Sequence, residues 1–242
     1  MKKSYLEMSA AELQAELEIV KKEYAELKSQ GLSIDMSRGK PGADQLDISD
    51  GMLKALDDGN FKCENGIDVR NYGILDGIPE AKKMFAELLE VEPENIIVGG
   101  NSSLSMMFDY VSQCMYNGAG FEPWAKQGTV KFLCPVPGYD RHFAICQFFG
   151  IEMINIPMTA EGPDMDVIEE AIKDSSVKGM FCVPKYSNPQ GITFSAETVK
   201  RIANLDTAAD DFRIIWDNAY IVHDLTETTD ELVNILMEMY KW

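Results

Sequence analysis

The sequence predicts an α/β fold: a mainly parallel sheet with helices on both faces. Two observations predict it. Short apolar runs alternate with amphipathic helical stretches along most of the 242 residues. The runs are mostly apolar rather than alternating, as expected of strands covered on both faces. A third observation fits the first two. The runs at 96–99, 130–136, 179–183 and 213–216 are each followed by polar, Gly- or Pro-rich motifs.

The elements follow in order. Ser9-Ala-Ala-Glu12 is a capping box, in which the serine hydroxyl and the glutamate satisfy each other's free amides. It opens a helix with the apolar stripe Leu13, Leu17, Val20, Tyr24 and Leu27, and Gly31 can end it. A Gly/Pro-rich loop, "SRGKPGADQ", spans Ser37 to Gln45. A helix is expected at 79–91, a strand at 96–99, and a helix from Ser103 with the stripe Leu104, Met107, Phe108, Val111 and Met115. Then come a strand at 130–136, a helix at 142–149, a strand at 152–156 and a helix at 165–173. A strand at 179–183, a helix at 196–205, a strand at 213–216 and a last helix at 230–240 complete the series. The loop between Gly31 and Asp50 is the candidate boundary. It divides the chain into 1–50, the N-terminal helix and its loop, and 51–242, the sheet-bearing part.

Composition narrows the function. The formal charge of −18 argues against nucleic acid, whose phosphates attract excess Lys and Arg. An anionic ligand would then need a local device, such as a helix N-terminus or an arginine. The five cysteines form no CxxC pair, and Cys134 and Cys182 sit inside apolar runs. That pattern suggests packed, reduced thiols in a cytoplasmic protein. The N-terminus lacks the apolar core of a secretory signal, and no run reaches the ~18 apolar residues of a membrane span. His142 and His223 have no neighbours at zinc spacing, so no metal site is expected.

In an open parallel sheet, ligands collect beyond the carboxyl ends of the strands. There the sequence places "GNSSL" (Gly100–Leu104), "PGYDRHF" (Pro137–Phe143), "PKYSNPQG" (Pro184–Gly191) and "DNAY" (Asp217–Tyr220). Each has a plain structural reading. Asn101, Ser102 and Ser103 can cap a helix, and Tyr139 can be a half-buried aromatic. Asn188-Pro189 can simply turn the chain. Asp217 can cap the last helix or face water, although a carboxylate buried at the end of an apolar strand is costly unless something meets it.

Taken together, and with "SRGKPG", "NYGILDGIPEAKKMF" and "DNAYIVHDL", these motifs resemble the aminotransferase class I/II family of pyridoxal-phosphate enzymes. The wording is similar to a bacterial aspartate-aminotransferase-like subgroup. The resemblance implies the large domain of fold-type I enzymes for 51–242 and part of a small domain for 1–50. It implies pyridoxal 5'-phosphate as cofactor, an aspartate-like amino acid and a 2-oxo acid as substrates, and a homodimer.

Residue by residue, the resemblance makes Asp217 the partner of the cofactor's pyridine nitrogen. It makes Tyr220 and Asn188 the partners of the ring oxygen, and Tyr139 the stacked aromatic. Ser102 and Ser103 form the phosphate cup. Tyr72 reaches the partner subunit's phosphate. Gly39 lies by the substrate carboxylate, and Asn188 borders the substrate too.

The family's Schiff-base lysine has no match. After Tyr220 the only lysine is Lys241, and Lys185 precedes the turn motif. The family's downstream arginines and two middle strands of a seven-stranded sheet are likewise without a match. The expectation is therefore an N-terminal portion of an aminotransferase that does not turn over by itself. The alternative is a non-catalytic remnant or subunit that binds a ligand or a complementary chain. Transamination, β-elimination and decarboxylation all remain open.

Overall fold

The computed structural model describes residues 3–35, 39–57 and 59–239. Ser37 and Arg38 of the expected loop, and Tyr240 and Lys241 near the expected end of the last helix, lie outside the described residues. The chain forms two compact units, 1–60 and 61–242.

In the first unit the capping box forms as expected. The Glu12 amide donates to Ser9 Oγ at 3.4 Å, and the Ser9 amide donates to Glu12 Oε2 at 2.6 Å. It opens α1 (Ala10–Ser29), and Gly31 takes the left-handed φ of +62° just beyond. The apolar stripe stays exposed, Leu13, Leu17 and Tyr24 included. A short helix that the sequence pattern does not predict, α2 (Ala43–Asp47), follows Gly42.

The second unit carries the sheet. In chain order come α3 (Pro79–Leu89), α4 (Ser103–Tyr116), β1 (Lys131–Val136), α5 (Asp140–Phe149), β2 (Glu152–Thr159) and β3 (Gly162–Pro163). Then follow α6 (Met165–Ala171), β4 (Val177–Cys182), α7 (Ala196–Ala203), β5 (Arg213–Trp216) and α8 (Ile235–Met239). The strand order is β3-β2-β1-β4-β5. β1, β2, β4 and β5 run parallel, and the two-residue β3 pairs antiparallel with β2. The α/β expectation holds.

Alternation along each strand explains the two layers, because successive side chains point to opposite faces. Phe132, Cys134, Phe181 and Ile215 face one core with α4 and α5. Leu133, Met180, Cys182 and Ile156 face the other, with α6, α7 and α8. Phe132, Leu133 and Met180 are fully buried, and each contributes about 1.5–3 kcal/mol by leaving water. At the foot of β4, the buried Lys178 ammonium donates to Asp211 Oδ1 at 2.7 Å, and Gln127 donates to Asp211 Oδ2 at 2.8 Å. Burial drives the Asp211 carboxyl up, but these two donors outweigh it and hold the group below its ordinary range.

Two expected elements are corrected. Residues 96–99 form no strand; the amide of Val98 donates to Asp76 O at 2.9 Å and no ladder follows. A strand needs a neighbour, and among the described residues nothing pairs with the outer edge of β5. The last helix starts at Ile235 rather than 230. Asn234 is the reason. Its Oδ1 accepts from the amides of Leu236 and Met237, which caps the helix there. Its side-chain amide also donates to the carbonyls of Leu89 and Glu90, which fixes residue 234 against the end of α3.

Gly179 tests the packing. It pairs with Phe132 in register, and a Cβ there would sit 2.6 Å from the Phe132 ring. That ring is held by Trp124 and Phe181 on other sides, with centroids 5.6 Å away in each case. Gly179→Ala should therefore lower the unfolding free energy by about 1–3 kcal/mol, read from the midpoint of urea denaturation. An unchanged midpoint would show that the ring has room to move.

Candidate functional site

Four chain segments converge beyond the carboxyl ends of β1, β4 and β5. They enclose a cleft of about 290 Å³ lined by Asn101, Ser102, Ser103, Leu104, Tyr139, Val183, Asn188, Asp217, Ala219 and Tyr220. The structure thus brings together Ser102, Ser103, Tyr139, Asn188, Asp217 and Tyr220. It does not place Tyr72 there; that residue is 96% exposed. Gly39 belongs to the first unit, where an added Cβ would meet nothing within 4 Å.

At one side of the cleft is the start of α4. Ser102 is its N-cap, and its Oγ accepts from the Ser105 amide at 3.3 Å. The plain capping reading is therefore realised. It does not use up the site, since the first amides of a helix have no intrahelical acceptors and the helix dipole favours an anion there. Gly138 makes the turn from β1 into α5 possible. A Cβ there would lie 2.3 Å from Pro135 O and 2.9 Å from the Phe143 ring, so no larger residue fits without displacing backbone. Tyr139 follows as the residue before α5, and its ring meets the His142 ring edge-on at 5.2 Å.

Asp217 lies deepest. It is 7% exposed, and its backbone amide donates to Cys182 O at 2.8 Å, extending the β4–β5 pairing by one residue. Its Oδ2 is 2.9 Å from Nε2 of His142, which is itself 3% exposed. The imidazole stacks on Phe181 with centroids 4.6 Å apart and planes 11° from parallel. A carboxylate accepts and does not donate, so the bond requires a proton on His142 Nε2. His142 is the site residue that sequence reasoning misses. Its sequence context speaks only to metal ligation, although it stands in the same strand-end motif as Tyr139, the residue before α5.

Beneath the cleft, burial alone pushes the Cys182 thiol far above its ordinary range, so it is an inert packing group. Beside the cleft, the Lys185 ammonium bonded to Asp224 holds that carboxyl below its ordinary range. Asn188 and Tyr220 stand on the loop after β4 and the turn after β5.

The arrangement has a distinct chemistry. One end offers free helix amides and hydroxyls for an anion. The other offers a buried carboxylate, oriented by an imidazole, for a cationic N–H. An aromatic ring and the polar side chains of Asn188 and Tyr220 line the same cleft. A flat ligand with an anionic arm and a protonated ring nitrogen matches that donor set.

His142→Ala leaves the Asp217 carboxylate buried without its donor. The expected cost is roughly 2–3 kcal/mol of stability, with a smaller loss in Asp217→Asn, whose amide oxygen can still accept. Urea denaturation of both variants checks the order. Equal midpoints for His142→Ala and the parent would show that this bond contributes nothing.

Comparison with known proteins agrees with the geometry. The family described as aspartate amino-transferase matches residues 8–240. An aspartate aminotransferase of Corynebacterium glutamicum is 48% identical over 221 residues, covering 90% of this chain and 51% of that protein. A crystal structure of an aspartate transaminase from the same species superposes with a TM-score of 0.90 at 45% identity, covering 99% of this chain and 57% of that one. The Pyrococcus horikoshii kynurenine aminotransferase, solved in complex with PMP, shares the fold at a TM-score of 0.59 and 19% identity, over 89% of this chain and 50% of that one. The chain thus spans about half the length of these relatives. With a match over nearly its whole length and the expected groups at its strand ends, the chain belongs to the aspartate aminotransferase family.

Proposed function

We propose that this chain holds pyridoxal 5'-phosphate and serves an aminotransferase that moves an amino group between an aspartate-like amino acid and a 2-oxo acid. One observation carries the reading: Asp217, buried and bonded to His142 behind it, lines the same cleft as the first residues of α4. When bound, the cofactor supplies the electron sink for bonds at the amino acid's Cα.

This chain's residues would hold and orient it. Asp217 accepts from the protonated ring nitrogen and favours that charged form, while His142 keeps the carboxylate aimed. Ser102 and Ser103 take the phosphate at the dipole's positive end, which offsets the repulsion of a chain with net charge −18. Tyr139 stacks on the ring. Asn188 and Tyr220 meet the ring oxygen, and Asn188 borders the substrate; for Gly39, in the first unit, the substrate role rests on the family resemblance alone. Tyr72, exposed and outside its own cleft, suits a role at the cleft of a second copy in a homodimer. In this reading 1–50 contributes to the small domain and 51–242 to the cofactor-binding one.

No lysine in the family's setting follows Tyr220 in these 242 residues. The residues present supply the holding groups and not the covalent anchor, so we infer no turnover by them alone. A complementary polypeptide segment suits the sheet edge. Among the described residues the outer edge of β5 is unpaired, and a mixed trough of about 640 Å³ is lined by apolar residues such as Leu88, Trp216 and Ile235 together with Lys185, Asp230 and Glu231. Asn218 Oδ1 is buried there without a partner among the described residues. All five cysteines are buried and unpaired, in keeping with a cytoplasmic protein. Among the described residues no helix is long and apolar enough to cross a membrane.

Titration with pyridoxal phosphate, followed by its absorbance, should show saturable binding. Asp217→Ala should weaken it about tenfold to a hundredfold, the worth of a charged hydrogen bond. Equal affinity in that variant would remove Asp217 from the site. Inorganic phosphate should slow hydrogen exchange at the amides of Ser102 and Ser103. Unchanged exchange would leave Ser102 as a helix cap only.

A further inference from the structure

Asn188 and Tyr220 stand on different segments. Lys185 joins the segments, with the Tyr186 hydroxyl beside it. The Lys185 side chain is 4% exposed, yet its ammonium is well engaged. It donates to Ile221 O at 3.2 Å, one residue beyond Tyr220, and to Asp224 Oδ1 at 2.9 Å. Asp224 also accepts from Tyr186 Oη at 3.4 Å and from Thr229 Oγ1 at 3.1 Å. The Lys185 ammonium lies 5.2 Å from the centre of the Tyr186 ring. Tyr186 itself has φ of +49°, a conformation that non-glycine residues keep only when their surroundings hold them there.

Apart from the Lys185 ammonium and the Tyr186 hydroxyl, both of which reach Asp224, each segment is closed on itself. The Ser187 amide donates to Ile192 O at 2.8 Å, and the Ile192 amide donates to Ser187 Oγ at 3.1 Å. The amides of Ile221 and His223 donate back to Asn218 O and Tyr220 O at 3.2 and 3.0 Å. Each loop thus has its own shape, and Lys185 fixes one against the other. A buried lysine is expensive without partners, so a position that commits it to a loop carbonyl and a distant carboxylate points to a constraint worth keeping.

We propose that Lys185 is a positioning residue: it ties the loop of Asn188 to the turn of Tyr220 and so sets the spacing of these two groups across the cleft. The consequence for a ligand rests on the cofactor reading above; the tie between the segments does not. Small displacements of such groups matter because donors act on a ligand only when pre-placed.

The test compares the 242-residue chain with Lys185→Met, which keeps most of the stem and removes the ammonium. Without ligand, the amides of Ile192, Ile221 and His223 should exchange about tenfold faster, while those of Phe132 and Met180 keep their rates. With pyridoxal phosphate, affinity should fall about tenfold, and the pH midpoint of the bound cofactor's absorbance should move, because its ring oxygen loses set partners.

Unchanged exchange at the three amides overturns the tie. Faster exchange with unchanged affinity and midpoint overturns the positioning role and leaves a brace only. Uniformly faster exchange, the core amides included, overturns it as well. If Lys185→Met does not fold, Asp224→Ala carries the same readouts, since Asp224 is partly exposed. Asp217→Ala is run alongside. If it binds the cofactor as the parent does, the cofactor reading fails while the ligand-free exchange still decides the tie.

Discussion

The structure turns on one buried pair, Asp217 with His142. Burying a carboxylate is costly unless a donor meets it, and in this fold a single imidazole 2.9 Å away does so. That requirement fixes more than two side chains. Asp217 is held at the end of β5 by its amide bond to Cys182 O, so its place depends on the β4–β5 register. His142 is held on α5, whose start depends on the close turn at Gly138. The imidazole then lies flat on Phe181 from β4. Three strand ends are thereby locked to one another around a charged group that faces a cleft.

The cleft divides its electrostatics between two ends. Free helix amides and hydroxyls gather at α4, and the carboxylate lies at β5. In a chain of net charge −18 this local polarity decides what an anionic ligand can find, since the long-range field is unfavourable. The other lining groups, Asn188 and Tyr220, sit on loops rather than strands, and their precision depends on how the loops are tied. Lys185, with its bonds to Ile221 O and Asp224, supplies that tie from a buried position.

Much of this is legible in the sequence, for physical reasons. Parallel strands put their carboxyl ends on one edge, so the motifs after 130–136, 179–183 and 213–216 have to meet. The helix starts are legible where a side chain caps them, as at Ser9 and Ser102. Residues 96–99 mislead because an apolar run becomes a strand only beside a partner, and the outer edge of β5 has none among the described residues. The start of the last helix is hidden because Asn234 commits its side chain to α8 and to the end of α3 together. Its bond to Glu90 spans 144 residues, and no local pattern reveals such a contact. His142 as the donor to Asp217, and Lys185 as the tie, escape for the same reason. Both are pairings across distant segments, and a sequence read in windows shows each residue without its partner.

The most direct measurement is a crystal structure of the chain grown with pyridoxal phosphate. The expected result places the phosphate on the amides of Ser102 and Ser103, with the ring nitrogen within hydrogen-bond reach of Asp217 and His142 still bonded to that carboxylate. A cofactor bound elsewhere, or in this cleft with its ring nitrogen turned away from Asp217, would contradict the buried pair's role as the anchor of the ring.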